Sequence, residues 1–408
     1  TFHYYLQYHL HRQLSAAAAY AREQGIILKG DIPIGVSKSS VETWQNPKWF
    51  HLDRSAGAPP DFFSEEGQNW GFPTYNWEAM AADGYHWWRR RLLHLHEFFD
   101  AVRLDHVIGF FRIWTIPDQT PASLEVRFYP ALPLTRAELE AAGINDIDRL
   151  CEPQGSDDDT ILIPDSPGNR VQFHPRIRIE KTRAFLSLDE KSRVTLHRLH
   201  EDYFFAKQEA LWKASGLKKL SVLASATDML ICGEDLGMVP HCVPGVLKAL
   251  NIFSLRIQRM PVALGELFSD PADYPYLSVA SPGTHDMSTI RGWWEEEDRA
   301  VIQIYFEKVL GGRGVAPQTC EPWICKEILR RHLQSGSMWT IIPVQDLLGM
   351  SADLRHPDPR AERINVPATP HHNWNLRLHR TLEDLLTQDA FIAEVRSMIH
   401  TFRSHRID

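Results

Sequence analysis

The sequence lacks the features that mark disulfide-rich, membrane-spanning or nucleic-acid-binding proteins. It contains five cysteines, and this odd number forms no paired framework, which favours reduced thiols in a cytoplasm. No run of about 18 apolar residues is present, so no membrane-spanning helix is predicted. The 44 basic residues are outnumbered by 52 acidic residues, and the formal net charge is −8. This balance argues against nucleic acid or an anionic membrane as the main partner.

Several common catalytic motifs are also missing. There is no G-x-S-x-G elbow, no phosphate-binding loop with its lysine, and no strand-G-x-G-x-x-G-helix unit. His94 and His96 lie two residues apart on a predicted helix, where their side chains diverge, so they do not predict a metal site. The chain opens on a threonine without a signal-like segment, and we expect it to begin inside a longer protein.

Short apolar runs alternate with helical patterns along the chain. This alternation predicts an α/β fold with a parallel sheet, of the (β/α)8 TIM-barrel type. About six strands are recognised where a closed barrel needs eight, so the barrel is expected to be incomplete at its N-terminus. The predicted strands are 25–30, 101–104, 228–232, 252–258, 277–281 and 339–344, and the predicted helices are 4–23, 78–100, 202–215, 296–309, 322–335 and 380–403.

Two stretches interrupt the alternation. Residues 31–77 are rich in proline, glycine, asparagine and tryptophan without a sustained period, which predicts a long loop that binds substrate. Residues 118–200 carry many prolines and an acidic run, which predicts an insertion between two barrel strands. The predicted organisation is a first barrel part at 1–117, an inserted subdomain at 118–200 and the rest of the barrel at 201–408.

Three carboxylates directly follow predicted strands. These are Asp105, Glu234 and Asp286, and strand ends are where a barrel displays its catalytic groups. Two carboxylates that flank a glycosidic bond, with a third nearby, are what acid-catalysed sugar transfer requires. The sequence therefore predicts a sugar-transfer site.

The surroundings of the acids suggest different tasks for them. Arg103 lies two residues before Asp105 on the same strand face, where a cation favours the ionised carboxylate that a nucleophile needs. Glu234 follows a glycine and could be semi-buried, which would raise its pKa as a general acid requires. For each acid alone, a turn or helix cap is the alternative interpretation. All three acids lie at strand ends, and two of them are next to a histidine, His106 or His285. These shared features favour the catalytic interpretation over a turn or helix cap.

The motifs around these acids resemble those of the 4-α-glucanotransferases, also called amylomaltases or disproportionating enzymes, in glycoside hydrolase family 77. The resemblance extends over almost the whole chain, and further details resemble the cytosolic, maltose-using branch of the family. The motifs, in family order, are Gly30-Asp-Ile-Pro-Ile-Gly35, Gly57-Ala-Pro-Pro-Asp61, Gly67-Gln-Asn-Trp-Gly-Phe-Pro-Thr-Tyr-Asn-Trp77, Val102-Arg-Leu-Asp-His106, Gly233-Glu-Asp-Leu-Gly237 and Gly283-Thr-His-Asp286.

The resemblance implies a role for each matching position. Asp105 would be the nucleophile, Glu234 the acid/base, and Asp286 the residue that stabilises the transition state by binding sugar hydroxyls. The positions expected to hold the substrate are Arg103, His106 and His285 in the donor site, and Asp31, Asp61, Gln68 and Trp70 in the loop.

The implied activity is transfer of an α-1,4-glucosyl or glucanosyl unit from maltose or a malto-oligosaccharide to glycogen or another soluble glucan. It implies a cytoplasmic enzyme without a metal or organic cofactor. Trp44, Trp70 and Trp77 are expected to exclude water and to stack the acceptor. Two alternatives remain open: a hydrolytic α-amylase-like enzyme with the same three acids, and a non-catalytic glucan-binding remnant.

Overall fold

The structure, a computed structural model, describes residues 1–60, 67–118, 126–152, 159–166, 168–262, 265–367 and 374–403. The chain divides into two compact units, Thr1–Ile252 and Phe253–Asp408. In the described part of the chain, three short parallel strands alternate with helices in each unit.

Unit 1 combines parallel strands, antiparallel strands and helices. Its elements are α1 (Phe2–Glu23), β1 (Lys29–Ile32), α2 (Val41–Gln45), β2 (Phe50–Ala58), β3 (Gln68–Tyr75), α3 (Trp77–Ala82), α4 (His86–His96), β4 (Ala101–Leu104), β5 (Ile113–Pro117), β6 (Arg127–Tyr129), β7 (Leu134–Thr135), α5 (Arg136–Ala141), α6 (Ile147–Leu150), β8 (Leu162–Pro164), β9 (Gln172–Pro175), α7 (Arg183–Leu186), α8 (Glu190–Asp202), α9 (Glu209–Ala224), β10 (Leu230–Gly233) and α10 (Cys242–Ala249).

Strand β4 is the central parallel strand of unit 1. It pairs with β1 on one side and β10 on the other, and the three strands are in step, so that Ile32, Leu104 and Gly233 are neighbours at their ends. Val102 and Leu104 are fully buried in the core of this unit. Gly233 is required here because a Cβ atom would lie 2.9 Å from Val107 Cγ1. The register therefore brings residues 33, 105 and 234 to one edge of the sheet.

Unit 2 contains the remaining parallel strands. Strand β12 pairs in parallel with β11 and β13, and the buried side chains of the helices form a second core around Trp294, Ile324 and Leu329. Its elements are β11 (Phe253–Ile257), β12 (Ser278–Ser281), α11 (Ile290–Glu296), α12 (Arg299–Ile304), α13 (Pro322–Leu333), β13 (Trp339–Thr340), α14 (Val344–Leu348), α15 (Leu382–Leu386) and α16 (Asp389–Arg403).

All six predicted parallel strands are present, within a few residues of their predicted positions. The predicted helices differ mainly at their ends, except that the one predicted for 380–403 is divided into α15 and α16. The helix predicted for 78–100 is divided into α3 and α4 because Gly84 and Tyr85 both adopt positive φ angles. The helix predicted for 202–215 continues to Ala224, after a π-helical turn at Tyr203–Lys207.

The prediction of a long unstructured loop at 31–77 is wrong. Strands β2 and β3 form an antiparallel pair that is extended by β5 and β6. The pairing of β2 with β3 shifts register at two places, and Gly57 lies against the Gln68 carbonyl, where a Cβ atom would clash. These irregularities remove the alternation of apolar and polar residues that identifies a strand in a sequence.

The segment 118–200 is described only in part. Its strands β7, β9 and β8 form a separate three-stranded antiparallel sheet, and His174 on β9 is hydrogen-bonded to Tyr203 and Asp165. Its place as an insertion between barrel strands remains a prediction.

No helix among the described residues is both long enough and apolar enough to cross a membrane. All five cysteines are free thiols.

Two helical glycines give a matched test of packing in unit 1. A Cβ atom on Gly216 in α9 would lie 2.4 Å from the ring of Phe111, whereas one on Gly245 in α10 would meet open space. We expect Gly216→Ala to lower the free energy of unfolding by about 1–3 kcal/mol, and Gly245→Ala to leave it unchanged or raise it by up to about 1 kcal/mol. Urea unfolding followed by circular dichroism measures both. Equal effects of the two substitutions would contradict this packing.

Candidate active site

Arg103 organises the carboxylates at the end of the unit 1 sheet. Its Nη1 atom lies 2.9 Å from Asp31 Oδ1 on β1 and 3.0 Å from Asp105 Oδ1 just beyond β4. Burial lowers the pKa of Arg103, but Asp105, Asp31 and Glu234 together raise it above its usual value. The guanidinium is therefore a permanent cation between the acids.

Asp105 is held by the main chain as well as by Arg103. Its Oδ2 atom accepts a hydrogen bond of 3.3 Å from the Ile34 amide, and its own amide donates to the Ile32 carbonyl. Because one oxygen faces Arg103 and the other faces Ile34, the rotation of the carboxylate is restricted. Such an arrangement suits a nucleophile that must present one oxygen in a fixed direction.

Glu234 is the second acid of this edge. The amide of His106 donates to Oε2 and the amide of Leu236 donates to Oε1, each at 3.0 Å. The pKa of Glu234 is raised to about 7, mainly because the carboxyl is buried; the charge of Arg103 opposes this shift, and the charge of Asp105 adds to it. A carboxyl with this pKa exchanges its proton near neutral pH, as a general acid/base must.

His106 connects Glu234 to strand β3. Its backbone has a φ of 42°, in the left-handed region, and this turn directs its amide to Glu234. Burial, with the positive charges of Arg112 and Arg103, lowers the pKa of the imidazole to about 3. His106 is therefore neutral at physiological pH and can exchange hydrogen bonds without carrying charge.

The side chains of Gln68 and Trp70 on β3 lie beside this histidine. Trp70 packs edge-on against His106 with ring centroids 4.8 Å apart, and its Nε1 donates to Gln68 Oε1 at 2.9 Å. Phe72 stacks on Trp70 and covers Gly35, where a Cβ atom would collide with the Phe72 ring. The structure thus brings together seven of the ten predicted site residues: Asp31, Gln68, Trp70, Arg103, Asp105, His106 and Glu234.

Some of the aromatic residues that were predicted to contact the substrate are not in a position to do so. Trp77 is only 7% exposed and packs in the core against Trp88 and Phe110, so the prediction that it stacks a sugar is wrong. It is the first residue of α3, whose buried side chains are Trp77 and Met80. Trp44 is 81% exposed on α2. Asp61 lies outside the described residues.

His285 and Asp286 lie in unit 2, beyond the end of β12. His285 Nε2 is 3.2 Å from Asp286 Oδ2, and Asn365 Nδ2 donates to Asp286 Oδ1 at 2.6 Å. His285 also contacts the ring of Trp374, with centroids 4.6 Å apart. Each carboxylate oxygen of Asp286 therefore has a polar partner, and these contacts fix the orientation of the side chain.

Several residues that support Asp286 were not predicted from the sequence. Asn365 lies 79 positions along the chain, and Arg363 donates to the Asp286 carbonyl at 3.3 Å. Buried Arg259 donates to the carbonyls of Pro282 and Ser288, which closes the turn around Asp286. Arg259 lies in a stretch whose sequence resembles the maltose-using branch of the family. The supporting role of these residues is seen only from their contacts in the structure.

A barrel-type α/β fold with paired carboxylates at strand ends is one arrangement found in enzymes that act on glycosidic bonds. The comparisons with known proteins are more specific. The family model of the glycoside hydrolase family 77 4-α-glucanotransferases matches residues 1–383, and this chain belongs to that family. It is 39% identical to the rice 4-α-glucanotransferase DPE2, over 98% of this chain and 49% of that protein.

Other relatives agree with this assignment. A 4-α-glucanotransferase of Chlamydia pneumoniae is 31% identical, over 97% of this chain and 60% of that protein. The amylomaltase of Streptococcus agalactiae, solved in complex with acarbose, has the same fold, with a TM-score of 0.61 and 24% identity over 97% of this chain and 61% of that one. The α/β barrel-type fold is therefore confirmed. The chain spans about half to three fifths of the length of the relatives it matches.

The charges beside Glu234 predict that two substitutions will shift its pKa in opposite directions. Asp105→Asn removes a negative charge and should lower the pKa of Glu234, whereas Arg103→Gln removes a positive charge and should raise it. Titration of the Glu234 carboxyl carbon by NMR measures both shifts. Asp189→Asn, at the start of α8, is the control and should change neither. Shifts in the same direction in the two site variants would contradict the assignment of causes.

Proposed function

We propose that this protein is a 4-α-glucanotransferase that moves an α-1,4-linked glucosyl or glucanosyl unit from maltose or a malto-oligosaccharide to a glucan acceptor. The observation that carries the proposal is the pairing of an Arg103-bound carboxylate, Asp105, with a second acid, Glu234, whose pKa burial raises to about 7. One acid suited to remain ionised and another suited to exchange protons are the two groups that retaining glycosyl transfer needs. Family membership supports the same reaction.

The first half of the proposed reaction breaks the donor. Asp105 attacks the anomeric carbon while Glu234 protonates the leaving oxygen, which forms a β-glycosyl-aspartate and releases the shortened donor. Glu234, now ionised, then removes the proton from the 4-hydroxyl of an acceptor glucan, and that oxygen displaces Asp105. The two inversions regenerate an α-1,4 bond and return both acids to their starting states.

The neighbouring groups have supporting roles in this proposal. Arg103 and Asp31 keep Asp105 oriented, and neutral His106 exchanges hydrogen bonds with a sugar hydroxyl. Asp286, oriented by Asn365, would bind hydroxyls of the donor sugar in the transition state, as the resemblance implies. The stacked rings of Trp70 and Phe72 provide an apolar surface for an acceptor and reduce the access of water to the intermediate.

We further propose that maltose is the donor and that glycogen or a soluble glucan derived from starch is the acceptor. The reaction takes place in the cytoplasm in this proposal. The similarity to rice DPE2 supports the maltose-using branch. The chemistry uses carboxylates alone and calls for no cofactor.

Substitution of the acids tests the mechanism. In the intact protein, Asp105→Asn should abolish transfer, and Glu234→Gln should lower it by roughly 10²–10⁴-fold, because proton transfer to the leaving oxygen is lost. An activated donor such as α-glucosyl fluoride, whose leaving group needs little protonation, should restore formation of the glycosyl-enzyme, seen as a burst of fluoride, to Glu234→Gln but not to Asp105→Asn, while the second step stays slow because it needs Glu234 as base. Asp189→Asn is the control. Near-normal transfer by Asp105→Asn would refute the nucleophile.

Product analysis separates transfer from the two alternatives. Incubation of the intact protein with labelled maltose and glycogen should release free glucose and label the polymer without increasing total reducing ends. A rise in reducing ends would indicate an α-amylase-like hydrolase. Binding to glycogen without any product would indicate a glucan-binding remnant. A ladder from maltotriose, with no transfer from maltose, would indicate an amylomaltase that does not use maltose.

A further inference from the structure

Unit 2 contains a cavity of about 670 Å³ beside helix α11. Its wall includes Arg291 on α11, Cys320 before α13, and Arg355 and His356 after α14. His379 and Arg380, before α15, complete the cationic part of the wall. His285, Asp286 and Asn365 are not among the lining residues, so the cavity is distinct from the group around Asp286. Its volume is in the range of sites for small-molecule ligands.

Three guanidinium groups line this cavity, and their local partners leave donors unused. Arg355 donates to the Cys320 carbonyl at 2.8 Å and forms no ion pair with a carboxylate of the described residues. Arg291 is only 4% exposed and binds Glu362 and the His356 carbonyl through Nη1. Its buried Nε has no hydrogen-bond partner in the described structure. An unpartnered buried N–H of a charged group is costly unless a ligand accepts its hydrogen bond.

The acids of the wall do not neutralise these cations. Glu295 accepts a hydrogen bond of 3.3 Å from the Cys320 amide, and Asp353 contributes its carbonyl oxygen to Arg380 at 2.6 Å. Arg380 is further paired with Asp384 at 3.2 Å. Arg291 and Arg380 are thus each paired with an acid outside the wall, Glu362 and Asp384, so Arg355 is the wall arginine that has no ion pair among the described residues.

The composition of the wall also indicates which ligand fits. Among the lining residues of the described chain there is no tryptophan, tyrosine or phenylalanine, which are the platforms on which neutral sugar rings stack. Guanidinium groups match the paired oxygens of a phosphate through parallel hydrogen bonds. We propose that this cavity binds the phosphate group of a small phosphorylated metabolite, with Arg355 and Arg291 as its main donors and Arg380 at its edge.

A ligand bound at Arg291 would lie next to the residues that hold the start of helix α11, which follows the segment that contains Asp286. Glu362, the partner of Arg291, also accepts a hydrogen bond from Thr289 Oγ1 at 3.3 Å, and Thr289 caps the N-terminus of α11. The buried Asp346 accepts a hydrogen bond from the next amide, that of Ile290, at 2.8 Å. Binding at Arg291 should therefore stabilise the start of α11 and raise the melting temperature.

Calorimetric titration of the intact protein, without any glucan, tests the proposal independently of transfer activity. Glucose 6-phosphate and inorganic phosphate should both bind, whereas glucose, which the proposed transfer reaction releases, should bind equally well to the unmodified protein and to the cavity variants. Arg355→Gln and Arg380→Gln should each weaken phosphate binding, the first by about tenfold or more because a charged hydrogen-bond donor is lost. Arg360→Gln removes the same charge from an exposed neighbouring turn outside the cavity wall and should bind phosphate normally.

The thermal melting curve of each variant without ligand shows whether it is folded, and Arg380→Gln, which is partly exposed, keeps the test available if Arg355→Gln unfolds. Absence of binding by both phosphate compounds would overturn the proposal. Unchanged phosphate affinity in both folded cavity variants would also overturn it. Loss of transfer in the acid variants with phosphate binding intact would separate this site from the proposed catalytic one.

Discussion

The ion pairs of Arg103 are the interaction on which the unit 1 site depends. A single guanidinium on the central strand reaches Asp31 on one neighbour and Asp105 at its own end, and its charge also acts on Glu234. Without this cation, three carboxylates at one sheet edge would repel one another. Because Arg103 is mostly buried, its charge is only weakly screened by solvent. The cation thus holds Asp31 and Asp105 in place while it limits the rise in the pKa of Glu234.

The two acids acquire different chemistry although both follow parallel strands. Asp105 interacts with a cation and a main-chain amide, whereas the environment of Glu234 is dominated by burial. The in-step register of β1, β4 and β10 places both residues at the same edge, and a shift of one residue would turn Arg103 to the opposite face. The register of the strands therefore determines which charged groups surround the two acids.

Much of this could be predicted from the sequence because short apolar runs identify buried parallel strands and their ends identify the acids. The strand β4 and the residues Arg103, Asp105 and His106 form one continuous segment, which a local pattern can reveal. The antiparallel pair of β2 and β3 could not be predicted, since register shifts and a close glycine contact remove its periodicity. Asn365 and Arg259 were missed because they reach the Asp286 segment through contacts distant in sequence. The arginine cavity was missed for the same reason, since its wall comes from four separate segments.

The left-handed turn at His106 has a consequence for how this site can change. The two hydrogen bonds on the Glu234 carboxylate come from the amides of His106 and Leu236, so they belong to the main chain. Ordinary side-chain replacement at either position leaves those donors in place, provided the backbone keeps its path. Only proline, which has no N–H, or a residue that cannot adopt the positive φ would remove the bond at position 106. The contribution of these two amides to the proton affinity of Glu234 is thereby unaffected by most side-chain substitutions at positions 106 and 236, and it changes only when the path of the chain changes.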